Sequence, residues 1–147
     1  MEFRLSDAPG HLLRRAHQRS CEIFVRLVGD DVTRQQIALL IALQAAPGAS
    51  QSQLVQITGI DKGTLNEMLG RMVGRGWISR QRDAADARAW RLHATTAGIA
   101  LLDERMKKVA AVQEEILAPI PEDLRPAFLR CLYLIAGVEP SRDAPLD

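Results

Sequence analysis

Apolar residues recur at helical spacing along most of this chain, and the punctuation between the runs predicts six helices and one short hairpin. Leu13, Ala16, Ile23, Phe24, Leu27 and Val28 predict a first helix starting near Pro9, a residue suited to a helix's first turn, and running to about Gly29. Thr33-Arg34-Gln35-Gln36 has the form in which Thr caps a helix and a Gln three residues on reaches back, so a second helix opens there. It runs through Ile37, Leu40 and Ile41 and stops before Pro47-Gly48. Ser50-Gln51-Ser52-Gln53 repeats the box and opens a short helix, broken at Thr58-Gly59-Ile60. Asp61 is a good N-cap for the next, in which Leu65, Met68, Leu69, Met72 and Val73 form one stripe expected to be buried. The period then changes to two: Trp77-Ile78-Ser79-Arg80-Gln81-Arg82 and Ala89-Trp90-Arg91-Leu92-His93 alternate as strands do, joined by Asp83 to Arg88. Thr95 or Thr96 caps a long helix carrying Leu102, Met106, Val109, Val112 and Ile116, which Pro119 and Pro121 end. A last helix begins near Asp123 with Pro126 in its first turn and Leu124, Phe128, Cys131, Leu132 and Ile135 as its stripe; Ser141 to Asp147 reads as a loose tail.

The outer face of the fourth helix is unusual. Gly63, Gly70 and Gly74 project within a narrow angle, flanked by Asn66, Glu67 and Arg71. Each interior Gly costs a helix about 1 kcal/mol relative to Ala. A solvated surface favours a better helix former, whereas a backbone pressed against a phosphate ridge or base edge uses the missing side chains. Two short helices across a tight turn, followed by a hairpin with arginines on both approaches, form a winged helix-turn-helix, in which one helix enters a major groove and the wing reaches a minor groove. Asp86 near the wing tip is read as orienting or partly neutralising a neighbouring arginine so that Arg88 projects, or as an ordinary exposed ion pair.

These residues resemble the MarR family of winged-helix transcription regulators. Gly76-Trp77-Ile78-Ser79-Arg80, Asp86-x-Arg88 and Leu92-x-Ala94-Thr95-x-x-Gly98 stand in the family's order and spacing, and the resemblance covers essentially the whole chain. Two positions depart from it: Ala87, where a basic residue is common, and Ala94, where Leu is common. The resemblance implies a mainly α fold with a small β-hairpin wing, a winged core over 33–94 flanked by dimerisation helices over 9–29 and 95–137, and a tail over 138–147. It also implies a homodimer on a palindromic double-stranded operator, repression as the usual outcome, and two reading helices on successive major grooves about 34 Å apart.

Composition narrows the class. At 147 residues with 47% hydrophobic content, the chain is sized for one domain with a good core. The net charge of +1 is not that of a polycation, but residues 61–91 hold Lys62, Arg71, Arg75, Arg80, Arg82, Arg88 and Arg91 against Asp61, Glu67, Asp83 and Asp86. Cys21 and Cys131 lack disulfide-framework or CxxC spacing, no apolar run approaches roughly 18 residues, and the start lacks a signal-peptide core, so a cytoplasmic protein without membrane attachment is expected. His11, His17 and His93 are scattered, with no triad logic, phosphate loop or paired buried carboxylates, so neither an enzyme nor a cofactor is expected. His17 and Cys21 share a face at i, i+4, but a metal site needs three or four ligands and no further cluster supplies them.

The DNA contacts expected are Ser50 and Gln51 at the start of the first helix of the pair; Lys62, Gly63, Thr64, Asn66 and Glu67 near the start of the reading helix; Arg71, Arg80 and Arg82 on phosphates; and Asp86 with Arg88 in the wing. Asn pairs with adenine and Glu accepts from cytosine, although Glu67 also has Arg71 as an i+4 salt-bridge partner. Residues 9–18, Pro-Gly-His-Leu-Leu-Arg-Arg-Ala-His-Gln, are similar to the start of MarR proteins that control aromatic-acid catabolism. That similarity implies an aromatic carboxylate or its coenzyme A thioester as effector, with His11, Arg14, Arg15, His17 and Gln18 as its ligands; the same residues also read as solvated positions on an amphipathic helix. Two alternatives stand beside this reading: a redox regulator using Cys21, against which no activating cation lies one turn later, and a winged helix that binds another protein.

Overall fold

The computed structural model describes residues 3–146. Met1, Glu2 and Asp147, at the ends of the predicted start and tail, lie outside the described residues. The helices are α1 (Pro9–Val28), α2 (Arg34–Ala45), α3 (Gln51–Thr58), α4 (Lys62–Gly74), α5 (Thr96–Leu117) and α6 (Arg125–Ala136), with a hairpin of β1 (Ile78–Arg82) and β2 (Trp90–Ala94) between α4 and α5. The last helix starts two residues later than its pattern suggests, because a 3-10 turn, Glu122–Leu124, intervenes.

Local hydrogen bonds place the helix starts. In both predicted capping boxes the two bonds are present: Gln36 N–H donates to Thr33 Oγ1 (3.1 Å) while Thr33 N–H donates to Gln36 Oε1 (3.0 Å), and Gln53 N–H donates to Ser50 Oγ (3.2 Å) while Ser50 N–H donates to Gln53 Oε1 (2.8 Å). Gly59, at φ 69°, takes the left-handed conformation that lets α3 stop and the chain turn into α4. Asp61 then caps α4 by accepting from Thr64 N–H (2.9 Å) and from its hydroxyl (2.6 Å).

One core runs through the molecule. Leu39, Leu40 and Leu43 of α2 sit at its centre with Leu54, Leu65, Leu69, Met72, Ile78 and Leu92, and Ile23, Phe24 and Val28 of α1 join it with Leu102 and Val112 of α5. Although α1 and α5 both belong to the segments assigned to dimerisation, the second half of α1 buries against α5, and α5 in turn packs on α2. What stays uncovered is the first half of α1, where Leu12 and Leu13 are exposed, and α6, which has no buried residue and exposes Leu134 by 81% and Ile135 by 62%. Val73 departs from the predicted stripe of α4: it sits at the helix's edge and is exposed, while Leu65, Met68, Leu69 and Met72 are buried.

The hairpin pairs antiparallel in the register Ile78↔Ala94 to Arg82↔Trp90, and a bridge from Ala49 to Leu92 sews it to the loop before α3. Its base is fastened to α5: Thr95 N–H donates to Trp77 O (2.9 Å), the Thr95 hydroxyl donates to Gly76 O, and a Cβ at Gly98 would lie 2.1 Å from Trp77 O. The Gly76-Trp77 and Thr95-x-x-Gly98 elements are thus two sides of one backbone contact. That contact fixes the base of the wing against the start of α5.

Candidate nucleic-acid interface and ligand cavity

Residues on the outer face of α4 point away from the core. Lys62, Gly63, Asn66, Glu67, Gly70 and Arg71 are exposed and Thr64 is half-buried against its cap. Nothing lies within 4 Å of a Cβ built on Gly70 or Gly74, so this stretch of backbone is bare and free to approach a flat partner closely. Glu67 and Arg71 stand 3.9 Å apart on the same face, both mostly exposed, and the pair is weak. Ser50 and Gln51 lie at the start of α3, but the Ser50 hydroxyl is engaged in its cap.

Of the seven cations of residues 61–91, Arg71 has its weak pairing with Glu67 and the other six divide into two groups. Arg75 donates to Asp31 O (2.7 Å) and stacks on the Trp77 ring at 4.8 Å. Arg91 is paired with Asp83 and donates to Gly48 O (3.1 Å). Arg82, expected on phosphates, instead donates to Ala87 O (2.7 Å) and lies over the Trp90 ring at 4.0 Å, so it stiffens the wing from inside. Among the described residues the side chains of Lys62, Arg80 and Arg88 have no intramolecular partner, and they border α4 and the wing. Asp86 accepts from the backbone N–H of Arg88 (2.9 Å) and not from a guanidinium, so it shapes the turn that presents Arg88. The carboxylate that neutralises a wing arginine is Asp83. It accepts from Ala85 N–H (2.7 Å), which with the Arg91 guanidinium holds its pKa below the ordinary carboxylate value.

A cavity of about 610 Å³ opens between α1, α2, α5 and the α3–α4 turn. Phe24, Val32, Ile37, Ile41, Ile60 and Val109 give it apolar walls, and His17, Cys21, Thr33, Arg34, Gln35 and Gln113 bring polar groups to it. Of the five effector residues expected from the sequence, only His17 lines this space. Arg14 lies one turn nearer the N-terminus and donates to Gln18 Oε1 (3.3 Å); Arg15 and Gln18 border a separate groove of about 300 Å³ with Arg19 and Glu22, and His11 is half-buried near the helix start. The cation the cavity does contain is Arg34, the first residue of α2. Its Nη1 donates to Ser20 Oγ (2.7 Å) and Cys21 Sγ (3.3 Å), and His17 Nε2 is 3.6 Å from the same sulfur. A search one helical turn along α1 could not find it, because it arrives from a different helix. The available signal was the capped start of α2, where Thr33, Arg34 and Gln35 converge on a positive helix end.

An exposed helix of bare backbone with a free Lys62 at its start, set beside a stiffened hairpin carrying unpaired arginines, is the architecture of winged helix-turn-helix transcription regulators; no catalytic constellation accompanies it among the described residues. The MarR family model matches residues 30–89. The Escherichia coli transcriptional regulator HosA is 33% identical over 100 residues, which are 68% of this chain and 74% of HosA. Two solved structures are similar over nearly the full length. BpsR of Bordetella bronchiseptica, whose DNA binding is regulated by 6-hydroxynicotinic acid, has a TM-score of 0.90 at 26% identity and covers 95% of this chain and 100% of its own. The transcriptional repressor CouR, bound to a 23-mer DNA duplex, has a TM-score of 0.82 at 32% identity and covers 92% of this chain and 99% of its own. The chain belongs to the MarR family, and it is a transcription regulator, not an enzyme.

Proposed function

We propose that this protein is a homodimeric repressor that binds a palindromic operator and leaves it when an aromatic carboxylate occupies the cavity. The observation that carries the DNA reading is the α4 face: Lys62, Asn66, Gly70 and Arg71 exposed around bare backbone, with Arg80 and Arg88 unpaired alongside. Asn66 reads a base edge in the major groove, Thr64 is held in the Asp61 cap, Lys62, Arg71 and Arg80 hold phosphates, and Arg88 reaches the minor groove from a wing that Arg82, Trp90 and Asp83 keep stiff. Residues 33–94 form the reading unit, and 9–29 with 95–137 form the dimer, which covers the exposed apolar side chains of α1 and α6. Two free thiols and the absence, among the described residues, of any helix long and apolar enough to cross a membrane are consistent with work in the cytoplasm.

The effector reading rests on the cavity. Its volume suits a free aromatic acid, with the ring between Phe24, Ile41 and Val109 and the carboxylate at Arg34 and the opening turn of α2. BpsR responds to such an acid. A second reading has one observation in its favour: the Arg34 guanidinium beside Cys21 supplies the cation that a reactive thiolate needs.

Fluorescence anisotropy with duplexes from a randomised inverted-repeat library tests the DNA reading. Arg88→Ala is expected to weaken all duplexes alike and flatten the salt dependence by about one counterion, whereas Asn66→Ala relaxes preference at one position by about 1–3 kcal/mol. A salt-independent interaction, or a uniform loss with Asn66→Ala, would refute those roles. Thermal shift with aromatic acids, in wild type and Arg34→Ala, tests the effector; selective oxidation of Cys21 by peroxide that abolishes operator binding would favour the thiol reading.

A further inference from the structure

The five residues between α1 and α2 serve two structures at once. Gly29, Asp30, Val32 and Thr33 form one wall of the cavity. The residue between them, Asp31, is turned outward and tied to two other helices. Its carboxylate takes both arms of Arg105 from α5, at 3.0 Å and 2.8 Å, and the same guanidinium donates to Val28 O (2.8 Å), the end of α1. Its backbone carbonyl accepts from Arg75 (2.7 Å), the residue that caps the C-terminal end of α4. Arg105 is largely enclosed, its side chain 14% exposed, and Gly29, at φ 112°, takes a backbone conformation that favours glycine as the chain leaves α1. The far end of the reading helix thus hangs on a wall of the cavity.

We infer that the Arg105–Asp31–Arg75 latch couples the cavity to the reading helix. Arg105 and Arg75 are positioning residues: an occupant that displaces Gly29–Thr33 moves the carbonyl on which Arg75 hangs, and α4 changes its angle to the dimer. The inference rests on the cavity being the effector site but requires no particular effector. It names a route at the C-terminal end of α4, distinct from the direct contact the cavity makes with Thr58 and Ile60 before its N-terminal end. A mutual dependence of this kind is what linkage between two sites demands.

Two measurements on the full-length dimer test it. In the first, without any ligand, hydrogen exchange is compared in wild type and Arg105→Gln. The amides of Arg75, Gly76 and Trp77, which donate to Arg71, Val73 and Met72 carbonyls, are expected to exchange at least tenfold faster in the variant, while those in the middle of α4 do not change. Faster exchange confined to Gly29–Thr33, with the end of α4 unaffected, overturns the inference. In the second, the occupant is a benzylthio group placed on Cys21 with benzyl methanethiosulfonate in a Cys131→Ser background, its stoichiometry verified by intact mass and its removal by dithiothreitol used as the control. Labelling is expected to weaken binding to the best inverted-repeat duplex at least tenfold with Arg105 present and less than threefold in Arg105→Gln. An equal loss in both backgrounds assigns the coupling to Thr58 and Ile60, and no loss in either denies that the cavity is coupled at all; both overturn the latch. If free aromatic acids fail to bind while the tethered group still acts through Arg105, the effector reading fails and the latch stands.

Discussion

The same substitution, Gly to Ala, is expected to act with opposite signs in two helices of this protein. At Gly98 a Cβ would sit 2.1 Å from Trp77 O, so α5 and the Gly76–Trp77 turn must part by about 1 Å to relieve the overlap. Overpacking of that kind costs about 1–3 kcal/mol, and the separation also loosens the two Thr95 hydrogen bonds, each worth about 1 kcal/mol. Ala returns about 1 kcal/mol of helix propensity, which leaves Gly98→Ala destabilised by about 2–4 kcal/mol. At Gly70 nothing stands within 4 Å of the new Cβ, and Gly70→Ala gains about 1 kcal/mol. Urea unfolding followed by circular dichroism, at several protein concentrations so that any concentration-dependent step is separated, measures both. A Gly98→Ala protein as stable as wild type, or a destabilised Gly70→Ala, would show that the contact geometry is not what sets these energies. Gly70→Ala carries a second readout. A more stable helix that binds operator at least tenfold more weakly identifies the bare stripe as a surface of close DNA approach; unchanged affinity identifies it as solvated.

Further outcomes follow from other parts of the structure. Leu134→Glu with Ile135→Glu is expected to leave the core intact and shift the protein to monomer in sedimentation equilibrium, with operator affinity lost in parallel; a stable dimer carrying both charges places the interface elsewhere. Trp90→Ala removes the ring beneath Arg82 and is expected to weaken all duplexes several-fold through a looser wing, measured by anisotropy; an effect confined to one base pair would make Trp90 a reading residue instead. The Asp61 carboxyl has its pKa lowered below 3.8 by the Thr64 hydroxyl and then the Thr64 N–H, so its cap stabilises the folded state above about pH 3.8 and is lost as pH falls through the lower native value. The stability gap between wild type and Asp61→Ala is accordingly expected to be constant from pH 7 to 5 and to narrow below 3.8; a gap unchanged down to pH 2.5 contradicts this assignment.

Legibility varied with the range of the interaction. Helix starts at Thr33, Ser50, Asp61 and Thr95 are written in residues three apart, and the structure makes those bonds between those atoms. The hairpin was visible because alternation survives without knowledge of any partner. Asp86 was given the wrong kind of neighbour, because a carboxylate near a turn has backbone N–H groups closer than any guanidinium. Arg82 and Arg91 read as free cations only so long as Trp90 and Asp83, eight residues away across the hairpin, are not seen beside them. The effector residues were grouped by adjacency in sequence, but a helix spreads adjacent side chains around its axis. His17 faces the cavity with Cys21 and Phe24, while Arg15 and Gln18 turn outward.

Sequence alone determined the order of elements, their caps, the apolar stripes and the winged-helix class, since all of these depend on periodicity and on hydrogen bonds spanning a few residues. Tertiary structure alone decided which cations remain available, where the cavity lies, that Arg34 lines it, and that Asp31, Arg75 and Arg105 meet one another behind one of its walls. Asp31, in the loop between α1 and α2, and Arg105, in α5, stand 74 residues apart, and only packing of the shared core brings them within hydrogen-bonding distance.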